Sequence, residues 1–295
     1  MAKRYDKEIE EKIVDAYNSG LSAYKIVEAI PELYGKRPSV IYGVLKRLGI
    51  QVRRPTIVTD EQKIKRRKFH VQDDFFSVIN TEEKAYWLGF IYADGYIKTN
   101  ADVIGISLAE ADINHLETFK QSIKFTGKVK KYVETQGYNA GATYARIIVT
   151  SKQMKNDLIK LGVKEKKTNI LTFPTEDQVS PHLLNHFLRG YFDGDGCLTH
   201  LNQRKSGIWE WALKIIGTRE MLEGFQNFFG KHIKLYQRFP ERNVNNYSLE
   251  YGGNQQVKKF MDMLYANATI YLNRKFQKYK QLLSSMVDAT ENHGL

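Results

Sequence analysis

Residues 186–198 read HFLRGYFDGDGCL, and residues 85–97, 101 positions earlier, read AYWLGFIYADGYI. Each is an apolar run at helical spacing that ends on Asp-Gly. In each, two small residues stand four apart, Gly89 with Ala93 and Gly190 with Gly194. Small residues at i and i+4 share one helix face and let two helix backbones approach closely. Packed side by side, the two helices bring Asp94 and Asp195 out at the same end. That end carries partial negative charge, which costs each carboxylate about 0.3–1 kcal/mol, and neighbouring carboxylates repel each other. Accepting both penalties twice points to a divalent cation that neutralises them. Hard oxygen ligands favour Mg²⁺, with Mn²⁺ as substitute, over zinc.

The surroundings of the two runs repeat as well. After the first come a strand around VIGISL, a helix DINHLETFKQSI with Leu116, Phe119 and Ile123 inward, strands near KVKKYV and TYARIIV, and a helix SKQMKNDLIKLG. After the second come IWEWALKII, TREMLEGFQNFF, HIKLYQRF, YSLEY and NQQVKKFMDMLY in the same order. The spacing between copies drifts from 101 to 108 residues, as small loop insertions in a tandem duplication would make it. The expected class is α+β, with two α-β-β-α-β-β-α halves at 74–178 and 179–285 and a tail at 286–295.

In a sheet covered by helices on one side, alternate residues face out. His232, Lys234, Tyr236 and Arg238 alternate with Ile233, Leu235, Gln237 and Phe239; Lys128 shares a side with Lys130, and Tyr144 with Arg146. With Lys214, these are candidate phosphate and base-edge contacts. Ordinary solvent exposure is the alternative for each taken singly.

The chain of 295 residues carries 45 Lys and Arg against 33 Asp and Glu, and the net charge of +12 favours a polyanionic partner. Sixteen basic and nine acidic residues fall within the first 70, so the front end is the more basic part. There, DKEIEEKIVDAY aligns Ile9, Ile13 and Tyr17. Ser22 is placed to cap a second helix with Ile26, Val27 and Ile30 inward. Ser39 is placed to cap a third with Ile41, Val44, Leu45 and Leu48 inward. Residues 1–55 thus resemble a helix-turn-helix DNA-binding unit exposing Tyr42, Lys46 and Arg47, although PELYGKRP is longer than the usual turn. A helical packing module with solvated charges is the alternative. Arg53 and Arg54 lead into a basic linker, 56–73, with Lys65, Arg66, Arg67 and Lys68, which either lies along nucleic acid or serves as a solvated tether.

Cys197 is the only cysteine, which excludes an internal disulfide. No apolar run approaches the ~20 residues of a spanning helix, and the start MAKRYDKEIEEK lacks the pattern of a signal peptide. The expected location is the cytoplasm, with no membrane partner.

WLGFIYADG and LRGYFDGDG resemble the two signature motifs of the LAGLIDADG homing endonucleases, over about residues 74–285. The resemblance implies a two-motif monomer whose sheets form a pseudo-twofold saddle over double-stranded DNA with a long asymmetric target. It implies Mg²⁺-dependent hydrolysis of phosphodiesters on both strands. Asp94 and Asp195 fall on the family's metal-binding eighth position, any backbone ligand beside them being unassigned. The sixth position is Tyr92 in one copy and Asp193 in the other, so an acid there is not required in both. Lys167 and Lys275 match lysines that stabilise charge on the reacting phosphate, with Lys166 or Arg274 in their place if the register slips. Glu110 resembles a polar residue that orders active-site water.

Other functions share this resemblance: a DNA-binding transcription regulator with a retained but inactive fold, and an RNA-binding intron maturase. The two retained acids favour the enzyme. With Met1 at the start and ENHGL at the end, the chain lacks the splicing residues of an intein, and an intron-encoded, phage-encoded or free-standing gene is expected.

Overall fold

The computed structural model describes residues 5–53, 60–137, 139–201 and 210–291. It divides into two compact units, Met1–Arg67 and Lys68–Leu295. Among the described residues no helix is long and apolar enough to cross a membrane.

In the smaller unit, α1 (Lys7–Asn18), α2 (Ala23–Ala29) and α3 (Ser39–Arg47) enclose a core of their own, with Ile13, Ile26, Leu33, Ile41 and Leu45 wholly buried. The Ser22 side chain accepts from the Lys25 N–H and starts α2, as its sequence position predicts. Two expectations for α3 need correction. Ser39 is already helical and Pro38 holds the cap position, while Leu48 is 44% exposed because the helix has ended before it. A short helix, α4 (Asp60–Lys65), lies within the stretch read as linker.

The larger unit holds the duplication. Its first half is α5 (Glu82–Asp94), β1 (Gly95–Ile97), β2 (Val103–Ala109), α6 (Ile113–Ser122), β3 (Lys130–Val133), β4 (Thr143–Thr150) and α7 (Lys152–Lys160). The second is α8 (Leu184–Asp195), β5 (Gly196–Leu201), β6 (Glu210–Gly217), α9 (Arg219–Phe229), β7 (Leu235–Gln237), β8 (Tyr247–Gly252) and α10 (Asn254–Tyr265). The final helix, α11 (Asn273–Glu291), runs on into the stretch expected to be a tail.

Each half makes one four-stranded antiparallel sheet, in the order β1-β2-β4-β3 and β5-β6-β8-β7. The register repeats too: Gly95 pairs with Ile106 and Gly196 with Ile215. Ile104, Ile106, Ala145, Ile147 and Val149 point inward onto Leu116, Phe119 and Ile123. Trp211, Leu213 and Ile215 do the same beside Met221, Phe225 and Phe260, all in one continuous core.

Every residue from Ala85 to Tyr92 of α5 is buried, because the helix is covered by its own half and by α8. The α5–α8 seam is built from backbone. A β-carbon on Gly89 would lie 1.9 Å from the Phe187 carbonyl oxygen, and one on Gly190 would lie 2.0 Å from that of Tyr86. These contacts are equivalents under the 101-residue repeat, so the seam is a pseudo-twofold axis and the helices run the same way along it.

Candidate metal and nucleic-acid site

The parallel seam delivers its two C-terminal acids together. The position where a β-carbon of Gly194 would stand is 2.2 Å from the Ala93 methyl and 3.3 Å from Asp94 Oδ2, so only glycine lets the Asp94 carboxylate sit against the end of α8. Burial and then the charge of Asp195 push the Asp94 carboxyl up to about 6, while Lys275, Lys167 and Arg274 pull it down. Burial likewise raises Asp195, opposed by Lys167, Lys275 and Arg238.

The helix ends are not left as bare carbonyls. Lys167 Nζ donates to the carbonyl oxygens of Tyr92 (2.7 Å) and Ala93, closing α5. Lys275 Nζ donates to Phe192 (2.7 Å), Asp193 (2.6 Å) and Gly194 (3.1 Å), closing α8. A helix's last carbonyls lack partners within the helix, and a cation there also opposes the macrodipole. The lysines thereby relieve much of the charge penalty read from the sequence. Burial lowers both ammonium groups, that of Lys275 to about 8.

The two carboxylates, Asp94 raised by burial and by the charge of Asp195, and Asp195 raised by burial, form a pair of hard oxygen donors that fits Mg²⁺ or Mn²⁺. Asp94 and Asp195 are the residues that would hold the ion.

The register between the two lysine alternatives is resolved in space. Lys166 adopts a left-handed conformation (φ 52°) and is exposed, leaving Lys167 at the seam. Arg274 donates from Nε to Asp112 Oδ2 at 2.8 Å, and Lys275 is the buried one. Glu110 follows the end of β2, where its Oε1 pairs with Lys131 Nζ at 2.6 Å.

On the outer face of the first sheet, Lys128 and Lys130 are exposed. Arg146 lies 4.2 Å over the Tyr132 ring, gives its Nε–H to Ser107 Oγ at 2.8 Å, and Tyr132 stacks on Tyr144. On the second sheet Tyr236 is exposed, Lys214 pairs with Glu250 at 2.6 Å, and Arg238 reaches Asn246 Oδ1 at 3.5 Å. The strand expected over HIKLYQRF is only three residues long. His232 and Lys234 precede it and line, with Arg219 and Glu223, an open cleft of about 690 Å³ beside α9.

In the smaller unit Tyr42 and Lys46 are exposed, and Arg47 pairs with Glu10. Arg53 lies over the Tyr17 ring at 4.0 Å and donates to the Tyr17 and Leu21 carbonyls, so it works as a brace of its own domain. Lys65, Arg66 and Lys68 are exposed and Arg67 is half-buried; Arg54 lies outside the described residues.

Sequence reading assigned no role to two buried charged groups on α8, Arg189 and Asp193. Arg189, wholly buried, donates to Glu82 Oε1 (2.6 Å) and to the carbonyls of Ile270 (3.0 Å) and Leu264 (3.1 Å). Asp193, also wholly buried, accepts from Tyr86, Tyr265 and Leu272. The available signal was a charge inside an apolar helix, which requires partners wherever it is buried.

Residues 183–265 match the family model described as LAGLIDADG-like domain. The meganuclease I-SmaMI, in a structure bound to uncleaveable DNA, is similar in fold at a TM-score of 0.50 and 11% identity, over 72% of this chain and 94% of that one. The LAGLIDADG homing endonuclease I-GzeII, in complex with a DNA target, is similar at 0.50 and 13%, over 72% and 92%. No curated protein matches the sequence. The fold is that of the LAGLIDADG meganucleases. Residues 183–265, in the second half, are those that match the LAGLIDADG-like domain model, and the first half repeats the second half's strand order and seam contacts.

Proposed function

We propose that the chain is a sequence-specific endonuclease that hydrolyses phosphodiesters on both strands of double-stranded DNA and requires Mg²⁺, for which Mn²⁺ substitutes. The observation that carries this reading is the meeting of Asp94 and Asp195 at one seam between the half-buried Lys167 and the buried Lys275. The likeness in fold to meganucleases bound to DNA supports it.

Asp94 and Asp195 would hold the ion; bound there, it supplies Lewis acidity toward phosphate and lowers the pKa of water. The chain's own part is placement of charge. Lys167 and Lys275, fixed by backbone carbonyls, hold positive charge beside the acids, where negative charge develops on a pentacoordinate phosphorus. Arg238 near Asp195 and Arg274 near Asp94 add to it. Lys130, Tyr144, Arg146, Lys214, Tyr236 and Arg238 offer donors and stacking surfaces to phosphates and base edges from the sheets. The smaller unit extends the footprint as a helix-turn-helix-like binder through Tyr42 and Lys46, and the enzyme acts as a monomer because one chain supplies both acids. A regulator that never cuts has no use for two adjacent carboxylates at helix ends.

The test is selection of cleaved sites from a randomised DNA library in Mg²⁺, followed by Asp94→Asn and Asp195→Asn on the recovered duplex. Cutting should disappear in each variant while binding persists. Undiminished cutting by either variant, or recovery of no cleaved site, overturns the reading.

A further inference from the structure

We propose that Asp193 is a positioning residue for Lys275, and that the two halves hold their lysines by different devices. The inference rests on the reading of Lys275 as part of the reacting site.

Three donors from three segments converge on the Asp193 carboxylate. Oδ2 accepts from Tyr86 Oη of α5 (2.8 Å) and from the Leu272 backbone N–H (2.7 Å), and Oδ1 accepts from Tyr265 Oη of α10 (2.8 Å). Because Tyr86 spends its single proton on Asp193, the contact with His115 Nε2 at 2.9 Å requires that nitrogen to be the donor. A carboxylate with no exposure survives in the core only when its lone pairs are filled in this way.

One of those donors sets the path of the chain that carries Lys275. Leu272 stands immediately before α11, and its carbonyl accepts from the N–H groups of Lys275 (3.0 Å) and Phe276 (3.1 Å). Asp193 therefore holds the residue from which the first turn of α11 is launched. Lys275, three residues on, reaches back and donates to the backbone carbonyl of Asp193 itself. All three of its ammonium protons are placed on carbonyls, so the group is fixed in orientation as well as position.

The first half solves the same problem without a charge. Tyr92 occupies the position equivalent to Asp193 and donates its hydroxyl to the Leu161 carbonyl at 2.5 Å, against the bare backbone of Gly162. Lys167 then meets two carbonyls instead of three. The placement of Lys275 depends on an acceptor for three donors, and that of Lys167 does not.

In Asp193→Asn one acceptor oxygen becomes an NH₂ group facing donors, which frees the start of α11. The experiment measures single-turnover cleavage and Mg²⁺-free binding on the duplex recovered by selection, with a thermal melt of each variant. Asp193→Asn should cut about 10²-fold more slowly, the scale of a misplaced catalytic group, with binding changed less than about threefold, a separation that general unfolding would not give. In a Lys275→Met background the same substitution should slow cutting no further, since the pair acts through one group.

Unchanged cutting by Asp193→Asn, or a loss that multiplies in full with that of Lys275→Met, overturns the proposal. If Lys275→Met itself cuts at the wild-type rate, the site reading fails first and takes this inference with it. If Asp193→Asn does not fold, Tyr265→Phe removes one donor while keeping its ring. It should cut about three- to tenfold more slowly, by the same misplacement in weaker form, and the loss should vanish beside Lys275→Met. A loss that is absent, or that persists in full beside Lys275→Met, overturns the proposal.

Discussion

Gly89 rests directly on the carbonyl of Phe187, with 1.9 Å between that oxygen and the place a β-carbon would take. The obstacle is backbone on a neighbouring helix, and Gly190 meets the same obstacle at Tyr86. An added methyl has nowhere to go unless the helices separate along their whole length.

Gly190→Ala should therefore lower stability by about 3 kcal/mol, the upper part of the overpacking range, and the melting temperature by about 6–12 °C. Gly43→Ala is the control, since nothing lies within 4 Å of a β-carbon there and glycine is a poor helix former. Equal melting temperatures for the two variants would remove the seam from the account of the fold.

The acids at the end of the seam give a pH signature. Asp94 titrates near 6 in the folded protein against an ordinary 3.8. Between those values the folded state keeps a proton that the unfolded state has released, so this group makes stability fall as pH rises from about 4 to about 6. Asp94→Asn should remove that fall and be more stable than wild type by about 1–3 kcal/mol above pH 6 in metal-free buffer. Added Mg²⁺ should raise the wild-type melting temperature more at pH 8 than at pH 5, because it needs the ionised carboxylates. Differential scanning calorimetry across pH measures both effects.

Lys275 predicts the complementary window. Its ammonium titrates near 8 against an ordinary 10.5, so between these values the unfolded state holds the extra proton and stability rises with pH through this group. Lys275→Met should flatten the rise in a pH-resolved urea titration. An unchanged slope from pH 8 to 10.5 would remove Lys275 as its source.

Arg189 and Glu82 tie α8 to α5 and to the 264–270 segment. Arg189→Met should cost about 3–5 kcal/mol, because it leaves Glu82 and two carbonyls without their buried donor. Glu82→Gln should cost less, since its oxygen still accepts from the Thr269 N–H. The ordering of the two variants in urea titrations is the check.

Removing residues 1–55 should leave cutting of the selected duplex intact at low salt while shortening the protected footprint and weakening binding. It should also make the salt dependence less steep, since phosphate contacts contribute to that slope one by one. A full-length footprint after the deletion would assign the smaller unit to something other than DNA.

The halves, the order of elements along each and the seam were legible in the sequence because each follows from a local pattern repeated in step: small residues four apart, Asp-Gly at a helix end, alternation of Tyr144 and Arg146 along β4. Lys167 and Lys275 were legible for the same reason, as equivalents after the last helix of each repeat. The pairing of Glu110 with Lys131 was not legible, because β3 lies beyond β4 in the sheet and no single segment reveals that order. Leu48 was misplaced because helical periodicity was carried past the end of α3. Asp193 and Arg189 were visible as charges within an apolar helix, but apart from His186 their hydrogen-bond partners lie more than 70 residues away in sequence. Only the folded chain brings those partners together.

A seam of bare backbone has a consequence for how such a chain diverges. Where glycine meets a carbonyl oxygen, natural variation has almost no alternatives to sample, so the joint between the halves is frozen. The outward strand positions carry no comparable restriction. Substitutions are thereby better tolerated on the sheet surfaces than along the joint.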